Sequence, residues 1–506
     1  MNVFLMYPDR GFDLKAKRPW NADVLVNDLE LNTLIQVMAK DDELVSEVSK
    51  TALLTGLHTQ AEMIHHRQAI VRDCLKDPQT IRNIYEITND AFDPEKRTWL
   101  GVFSRSPGSV LYSSVSTLKG YLELLKRLKW LSDQKGSHFT SAGFKNFFDM
   151  IQKELSDEYL QTIEDHLQQL ELGRGVLMTA RLGTYNQGDQ YILRKRTQAK
   201  RSWLDKITGK GAKTYSFSLD PRDEMGGRIL SEMEDLGINQ AANALAKSAD
   251  HIESFFKALQ REIAFYVGCI NLHDALMEKN LPVTFPTFVP ESEKDHSFSE
   301  LYDVSLALAM HEKTVGNTVS TKNKSLFVIT GANQGGKSSF LRSIGIAQLM
   351  MQSGCFVGAE KFEANLVRAV FTHYKREEDI SLKQGKFDEE LSRMSAIINY
   401  IEPHSLILFN ESFASTYERE GSEIARQVSL TLLEAEMKIF YVTHLYDFAH
   451  SIYTLNRDDA IFLRANRNPD GSRPFKLVEE RPLETSYGED LYQEIFLAPP
   501  NSSSDH

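Results

Sequence analysis

The chain has 506 residues, with 58 Lys and Arg against 70 Asp and Glu and a formal net charge of −12. That length exceeds what one core usually supports, so two or three domains are expected, and the acidic balance excludes adhesion to DNA by the surface as a whole. Three widely spaced cysteines, Cys74, Cys269 and Cys355, suit neither a disulfide framework nor a zinc site, and read as buried small side chains in a reducing compartment. The N-terminal apolar run is too short for a signal peptide, and no uninterrupted apolar stretch of about 18 residues exists, so the sequence predicts a soluble, cytoplasmic protein with no membrane span.

Residues 1–175 read as a helical region, with Leu29, Leu31, Leu34, Ile35 and Met38, then Leu118, Tyr121, Leu122, Leu125 and Leu128, at helical spacing. Over 176–222 the pattern changes to alternation. Val176, Met178, Tyr191 and Leu193 flank a turn at Asn186 to Asp189, and Tyr215 and Phe217 suggest a third short strand. This small β insertion carries the one concentrated basic stretch, Arg194, Lys195, Arg196, Lys200, Arg201, Lys206, Lys210 and Lys213, with Trp203 interleaved. The stretch is a candidate DNA contact, because phosphates are held by such clusters, and equally reads as a solvated loop face.

Residues 223–320 contain a long helix and a connection. Between Ala242 and Met277 a long helix is expected, its apolar residues from Ala242 to Ile270 stepping alternately by three and four, a rod of roughly 50 Å that is either a lever or a helix packed in a bundle. The stretch 281–320, with Pro282, Pro286 and Pro290, reads as a connection.

At Leu326 an apolar strand runs directly into Gly331-Ala332-Asn333-Gln334-Gly335-Gly336-Lys337-Ser338-Ser339, and a helix pattern follows from Phe340. Strand, Gly-x4-Gly-Lys-Ser loop and helix are the context of a nucleotide site. The glycines let the backbone bend around phosphate oxygens, Lys337 neutralises β/γ charge, and the Ser338 hydroxyl can ligate Mg²⁺. A buried strand from Ser405 ends in Asn410 and Glu411, where Glu411 can polarise the attacking water. Asn410 sits where such strands generally end in Asp, which would hold Mg²⁺ through water, so slow turnover is expected. A further strand ends in Thr443 and His444, candidates for sensing the γ-phosphate. Gly385 and Lys386 open an amphipathic helix whose apolar positions are Phe387, Leu391, Met394, Ile397 and Ile398; its free amides suit a γ-phosphate arriving from a second subunit. Val315 and Asn317 are candidates by position for the adenine.

These residues resemble the ATPase domain of the MutS family of DNA mismatch-repair and recombination proteins. The loop 331–339 is similar to the family's Gly-Pro-Asn-Met-Gly-Gly-Lys-Ser-Thr, Asn410-Glu411 to its Asp-Glu pair, Thr443-His444 to its Thr-His switch, and Thr485 to Gly488 to its Ser-Tyr-Gly. Upstream, the long helix and Phe298 to Asp303 look like the family's core and lever region. The resemblance implies an α/β P-loop ATPase domain of ABC type over 321–498, after a mainly α-helical core and lever with a small β insertion, and a disordered tail over 499–506. It implies ATP and Mg²⁺, a homodimer, and DNA of unspecified structure as partner. Catalytic roles fall on Lys337, Glu411 and His444, and cofactor contacts on Gly331, Asn333, Gly335, Gly336, Lys337, Ser338, Ser339, Asn410, Gly385 and Lys386. Ser338 and Asn410 stand on the metal side.

Four positions depart from the family pattern: Asn410 replaces an Asp, Gly385 stands where members present a serine, and Phe413 and Ser415 stand where glycines are usual. About 325 residues precede the loop, too few for the mismatch-recognition and connector domains as well as a core, so a relative without mismatch reading is expected. An ABC transporter is disfavoured, because only about 50 residues separate Lys337 from Lys386. A nucleotide-binding scaffold that recognises a protein partner and hydrolyses little is the alternative that Asn410 permits.

Overall fold

The computed structural model describes residues 1–58, 60–93, 106–171, 176–184, 188–194, 215–310, 314–376 and 385–484. It is a mixed helix and sheet structure whose contacts divide into two units. One comprises residues 1–3, 82–140 and 144–260, the other 4–81, 141–143 and 261–506. The basic residues Lys195, Arg196, Lys200 and Arg201, the segment 485–488 and the tail 499–506 lie outside the described residues.

The first unit is built from the helices Pro107–Lys135 and Asp157–Leu170, a hairpin of strands β1 (Met178–Leu182) and β2 (Gly188–Leu193), and the start of a 55-residue helix, Glu224–Glu278. That helix begins well before the Ala242 expected from the apolar spacing, even though Gly226, Gly227 and Gly237 oppose it. Ile238 and Ala242 pack with Leu111 and Val115 in one buried cluster, and tertiary burial outweighs the weak propensity. The third strand expected at Tyr215 and Phe217 does not form. Both side chains are 80% exposed or more, so their alternation has no buried face behind it. Farther along, every residue from Glu262 to Leu272 is buried, the pattern of a helix packed on all sides rather than along one narrow seam.

In the second unit the stretch 281–320, expected as a connection, instead supplies strands β3 (Thr287–Val289), β4 (His296–Leu301) and β5 (Asn317–Val319). With β7 (Lys361–Asn365) these form a sheet of order β3-β7-β4-β5. Short strands hidden among prolines are hard to see in a sequence because each has only a few alternating positions. The larger sheet contains β6 (Leu326–Gly331), β8 (Val370–Tyr374), β9 (Leu406–Asn410), β10 (Lys438–Val442), β11 (Ala460–Ala465) and β12 (Leu477–Glu479), in the order β12-β11-β6-β10-β9-β8. Every pairing is parallel except that of the edge strand β12.

Strands buried on both faces read as unbroken apolar runs, which is why Phe327 to Ile329, Leu406 to Phe409 and Ile439 to Val442 show no alternation. Val328, Ile407, Phe409, Ile439 and Tyr441 share one core cluster with Ala425, Leu432, Phe448 and Ile452 of the helices Glu418–Glu434 and Tyr446–Thr454. The helix Lys337–Gln352 is buried nearly all round. Phe327 and Phe440 stack at 4.0 Å between centroids, with His296 edge-on to both. Burial holds His296 well below the ordinary histidine pKa, so it packs as a neutral ring.

The helix Lys386–Ile398 departs from its expected apolar face: Met394 and Ile397 are buried, but Leu391 and Ile398 are exposed, and the third buried position is the acid Glu390, next to Leu391. Among the described residues no helix is long and apolar enough to cross a membrane. Replacing Phe440 with Ala removes a fully buried ring from the sheet and should cost about 3–5 kcal/mol of stability, read from denaturant midpoints.

Candidate functional site

Parallel pairing of β6, β10 and β9 brings the C-terminal ends of three strands to one edge of the sheet, the edge where ligands bind in such sheets. β6 ends in the glycine-rich loop, β9 in Asn410 and Glu411, and β10 in Thr443 and His444. Two glycines carry the loop. Gly331 has φ +108 and would push a Cβ to 2.7 Å from the Ala465 nitrogen, while Gly336, at φ +83, turns the chain into the helix that starts at Lys337.

Lys337 is buried and donates to the carbonyls of Gly331 and Ala332, both at 2.9 Å, so the ammonium fills the centre of its own loop. Burial pushes its pKa below the ordinary lysine value; Glu411 opposes that shift and Arg473 adds to it. The Ser338 hydroxyl donates to Asn410 Oδ1 at 3.0 Å. The Glu411 carboxylate lies 4.0 Å from His444 Nδ1. The loop, Glu411, Leu301 to Asp303, Leu306, Met310, Thr314, Val315, Asn317 and Phe475 line a cavity of about 470 Å³.

Gly335, Gly336, Lys337, Ser338, Ser339, Asn333 and Glu411 therefore come together around one cavity, with Gly331 and Asn410 bonded to its rim. Gly385 and Lys386 do not line it; they begin the helix Lys386–Ile398. Arg194 lies in the other unit, at the end of the hairpin, where its Nε donates to Thr179 at 3.0 Å. Val315 lines the cavity as a candidate base contact should, but the Asn317 amide is committed elsewhere. It accepts from the Leu477 nitrogen at 2.7 Å and donates to the Phe475 carbonyl at 3.3 Å, holding that segment beside the loop. Phe475 and Arg473, which donates to Gln334 Oε1 at 3.3 Å, escaped the sequence reading. They come from a polar turn between β11 and the edge strand β12, with no motif to mark them.

For a cation, Ser338 and Asn410 offer two neutral oxygens of the hard type that Mg²⁺ prefers, and no carboxylate between them. Among the described residues no cluster of three or more His, Cys, Asp or Glu could hold a metal. The pair thus fits Mg²⁺ brought by phosphate oxygens rather than an ion bound by protein alone.

The segment after Glu411 is strained and tightly tied. Glu411 and Phe413 both have positive φ, +53 and +61, costly for non-glycine residues. Phe413, standing where glycine is usual in the resembled pattern, is held there by complete burial and by stacking on His373 at 5.3 Å. His373 Nε2 is 3.0 Å from the Glu390 carbonyl and Nδ1 is 2.7 Å from the Ser412 hydroxyl, which itself donates to the His373 carbonyl at 2.5 Å. Ser415 donates to Glu390 at 2.8 Å, and Tyr441 to the Ser412 carbonyl at 3.0 Å.

A glycine-rich loop between strand and helix, at the C-terminal edge of a mainly parallel sheet, defines this protein as one of mixed helix and sheet class. Comparison with known proteins gives its family: a model described as MutS2 N-terminal domain matches residues 59–279, and one described as MutS domain V matches residues 327–499. The chain belongs to the MutS family. It is 28% identical over 204 residues to the DNA mismatch repair protein MutS of Petrotoga mobilis, a match covering 40% of this chain and 25% of that protein. It is 26% identical over 278 residues to the DNA mismatch repair protein MutS of Leptospira interrogans, covering 52% and 31%. To human MutS protein homolog 4 it is 25% identical over 242 residues, covering 47% and 25%. The matched part is thus a quarter to a third of the length of these relatives.

Burial holds His373 neutral, with a pKa lowered from 6.5 to about 4. A depressed base favours the fold above its unfolded pKa and loses that contribution as pH falls. Stability should therefore drop by on the order of 3 kcal/mol between pH 6.5 and 4, with a shallower drop in His373→Gln, measured by denaturant unfolding across pH.

Proposed function

We propose that this chain is an ATPase of P-loop, ABC type that works as a homodimer and couples its nucleotide state to DNA binding, in mismatch repair or recombination-related DNA transactions. One observation carries the reading: Lys337 and Glu411 line the cavity at the sheet edge and Ser338 reaches Asn410 on its rim, so a cation, a carboxylate and a metal-side pair surround one phosphate-sized site. The names of the relatives, two of them mismatch repair proteins, support the DNA side.

In this reading Lys337 exchanges its two carbonyl partners for β- and γ-phosphate oxygens, and the loop amides complete the cradle. The purine lies toward Val315 and Phe475, the apolar part of the cavity wall. Ser338 and Asn410 would hold a Mg²⁺ carried with ATP, which would supply charge neutralisation at the phosphates. Glu411 orients and polarises the attacking water, with His444 beside it as the group that reports loss of the γ-phosphate. Gly385 and Lys386 of one copy face the nucleotide of the other, and the basic stretch from Arg194 to Arg201 holds DNA phosphates.

The Asn410 side chain favours a second reading, a nucleotide-binding scaffold with little turnover, because an amide accepting from Ser338 brings no negative charge to a metal. Steady-state hydrolysis decides between them. For an ATPase, Lys337→Ala should abolish turnover and weaken ATP binding, while Glu411→Ala should lower turnover by about 10²-fold or more with binding kept. Turnover indifferent to both changes would count for the scaffold. Sedimentation should detect a tighter dimer with ATP, and a chain that stays monomeric when saturated would remove the trans contact. Replacing Lys195, Arg196, Lys200 and Arg201 with Ala should reduce DNA affinity and its salt slope in gel-shift titrations.

A further inference from the structure

One stretch of the cavity wall, Leu301 to Asp303 with Leu306 and Met310, has an anchorage of its own. Asp303 caps the short helix Val304–Ala309, its Oδ1 accepting from the Leu306 nitrogen at 3.0 Å, and that helix with its C-terminal flank carries Leu306 and Met310 into the wall. The second carboxylate oxygen, Oδ2, accepts from Arg342 Nε at 2.7 Å. Arg342 stands on the helix that begins at Lys337, so one guanidinium joins the apolar wall to the element that leaves the glycine-rich loop.

A second carboxylate holds that guanidinium from the other side. Glu30 pairs with Arg342 Nη1, and Glu30 itself has a left-handed φ of +51 at the start of the helix Leu31–Ala39, a conformation that costs energy outside glycine and persists because its surroundings fix it. Its neighbour Leu29 sits so close to the helix Lys337–Gln352 that a Cβ on Gly345 would come within 2.7 Å of it. The helix Leu31–Ala39 packs against Val304–Ala309, and its Met38 carbonyl accepts from the Asn271 amide of the long helix at 2.8 Å. The Asp303 side chain is 1% exposed and that of Arg342 13%. A carboxylate so buried is strongly disfavoured once its cation is removed. Loss of Arg342 therefore acts first on Asp303 and, through the cap, on the placement of Leu306 and Met310.

Resting on the nucleotide reading above, we infer that Arg342 is a positioning residue for the nucleoside half of bound ATP: by bridging Asp303 and Glu30 it sets the wall of Leu306 and Met310 against the glycine-rich loop, so that preference for a nucleoside triphosphate over bare triphosphate depends on a side chain outside the cavity lining. Arginine suits this role, because its planar fork presents Nε and Nη1 to two carboxylates at a fixed angle, whereas lysine offers a single point charge.

The test is calorimetric titration of the full chain, in Mg²⁺, with ATP and with inorganic tripolyphosphate, which has the phosphates without the nucleoside. Wild type should bind ATP more tightly than tripolyphosphate, and Arg342→Ala should lose on the order of 10-fold in ATP affinity but less than about 2-fold for tripolyphosphate. Arg342→Lys should recover part of the ATP loss. Asp303→Asn, which keeps the helix cap without the charge, should lose about 3-fold for ATP and again spare tripolyphosphate. Arg342→Ala combined with Asp303→Ala should lose no more than the larger single loss, since both break one bridge. Thermal melts check folding, and Arg342→Lys with Asp303→Asn carry the comparison should an alanine variant fail to fold. Equal losses for the two ligands, no loss for either, single losses that multiply in the double variant, or a wild type that binds tripolyphosphate as tightly as ATP would each overturn the inference. The nucleotide reading itself fails by a different result: no uptake of either ligand by wild type, or ATP uptake unchanged in Lys337→Ala.

Discussion

Parallel hydrogen bonding between β6 and its neighbours is the constraint from which the site follows. With β10 and β11 paired in parallel to β6, and β9 to β10, the strand that delivers the glycine loop has no freedom to end anywhere except beside Asn410, Glu411 and Thr443. The apolar runs that make those strands compatible with burial on both faces also commit every polar group to the strand ends. A chain that must hide Val328, Phe409 and Tyr441 is driven to gather its chemistry along one rim.

That logic explains why so much of this rim could be read from sequence. Gly331, Gly336 and Lys337 are bound to a fixed spacing by backbone geometry, and Glu411 and His444 each follow an unmistakable buried strand. The remainder was illegible for identifiable reasons. The wall formed by Leu301, Tyr302 and Asp303 comes from a stretch of three-residue and six-residue strands too short to show periodicity. Phe475 and Arg473 reach the loop only because β12 folds back against β11, which brings Arg473 to Gln334, 139 positions earlier in the chain, with no local signal. Glu390 in the helix Lys386–Ile398 is a buried acid in a place where periodicity asks for an apolar residue; only its bond to Ser415 accounts for it.

Upstream, the sequence conveyed helical character and the hairpin but not extents. The start of the long helix at Glu224 depends on Leu111 and Val115, residues over a hundred positions away, and no window of local sequence contains them. The expected strand at Tyr215 fails for the complementary reason: alternation without a partner surface specifies nothing.

Lys337 donating to the carbonyls of Gly331 and Ala332 has a kinetic corollary. An ammonium with two of its three donors already given to its own backbone plugs the turn from within. Under the proposed function, capture of a polyanion would be a swap of partners, the arriving molecule inheriting a preformed cradle whose occupant it must evict.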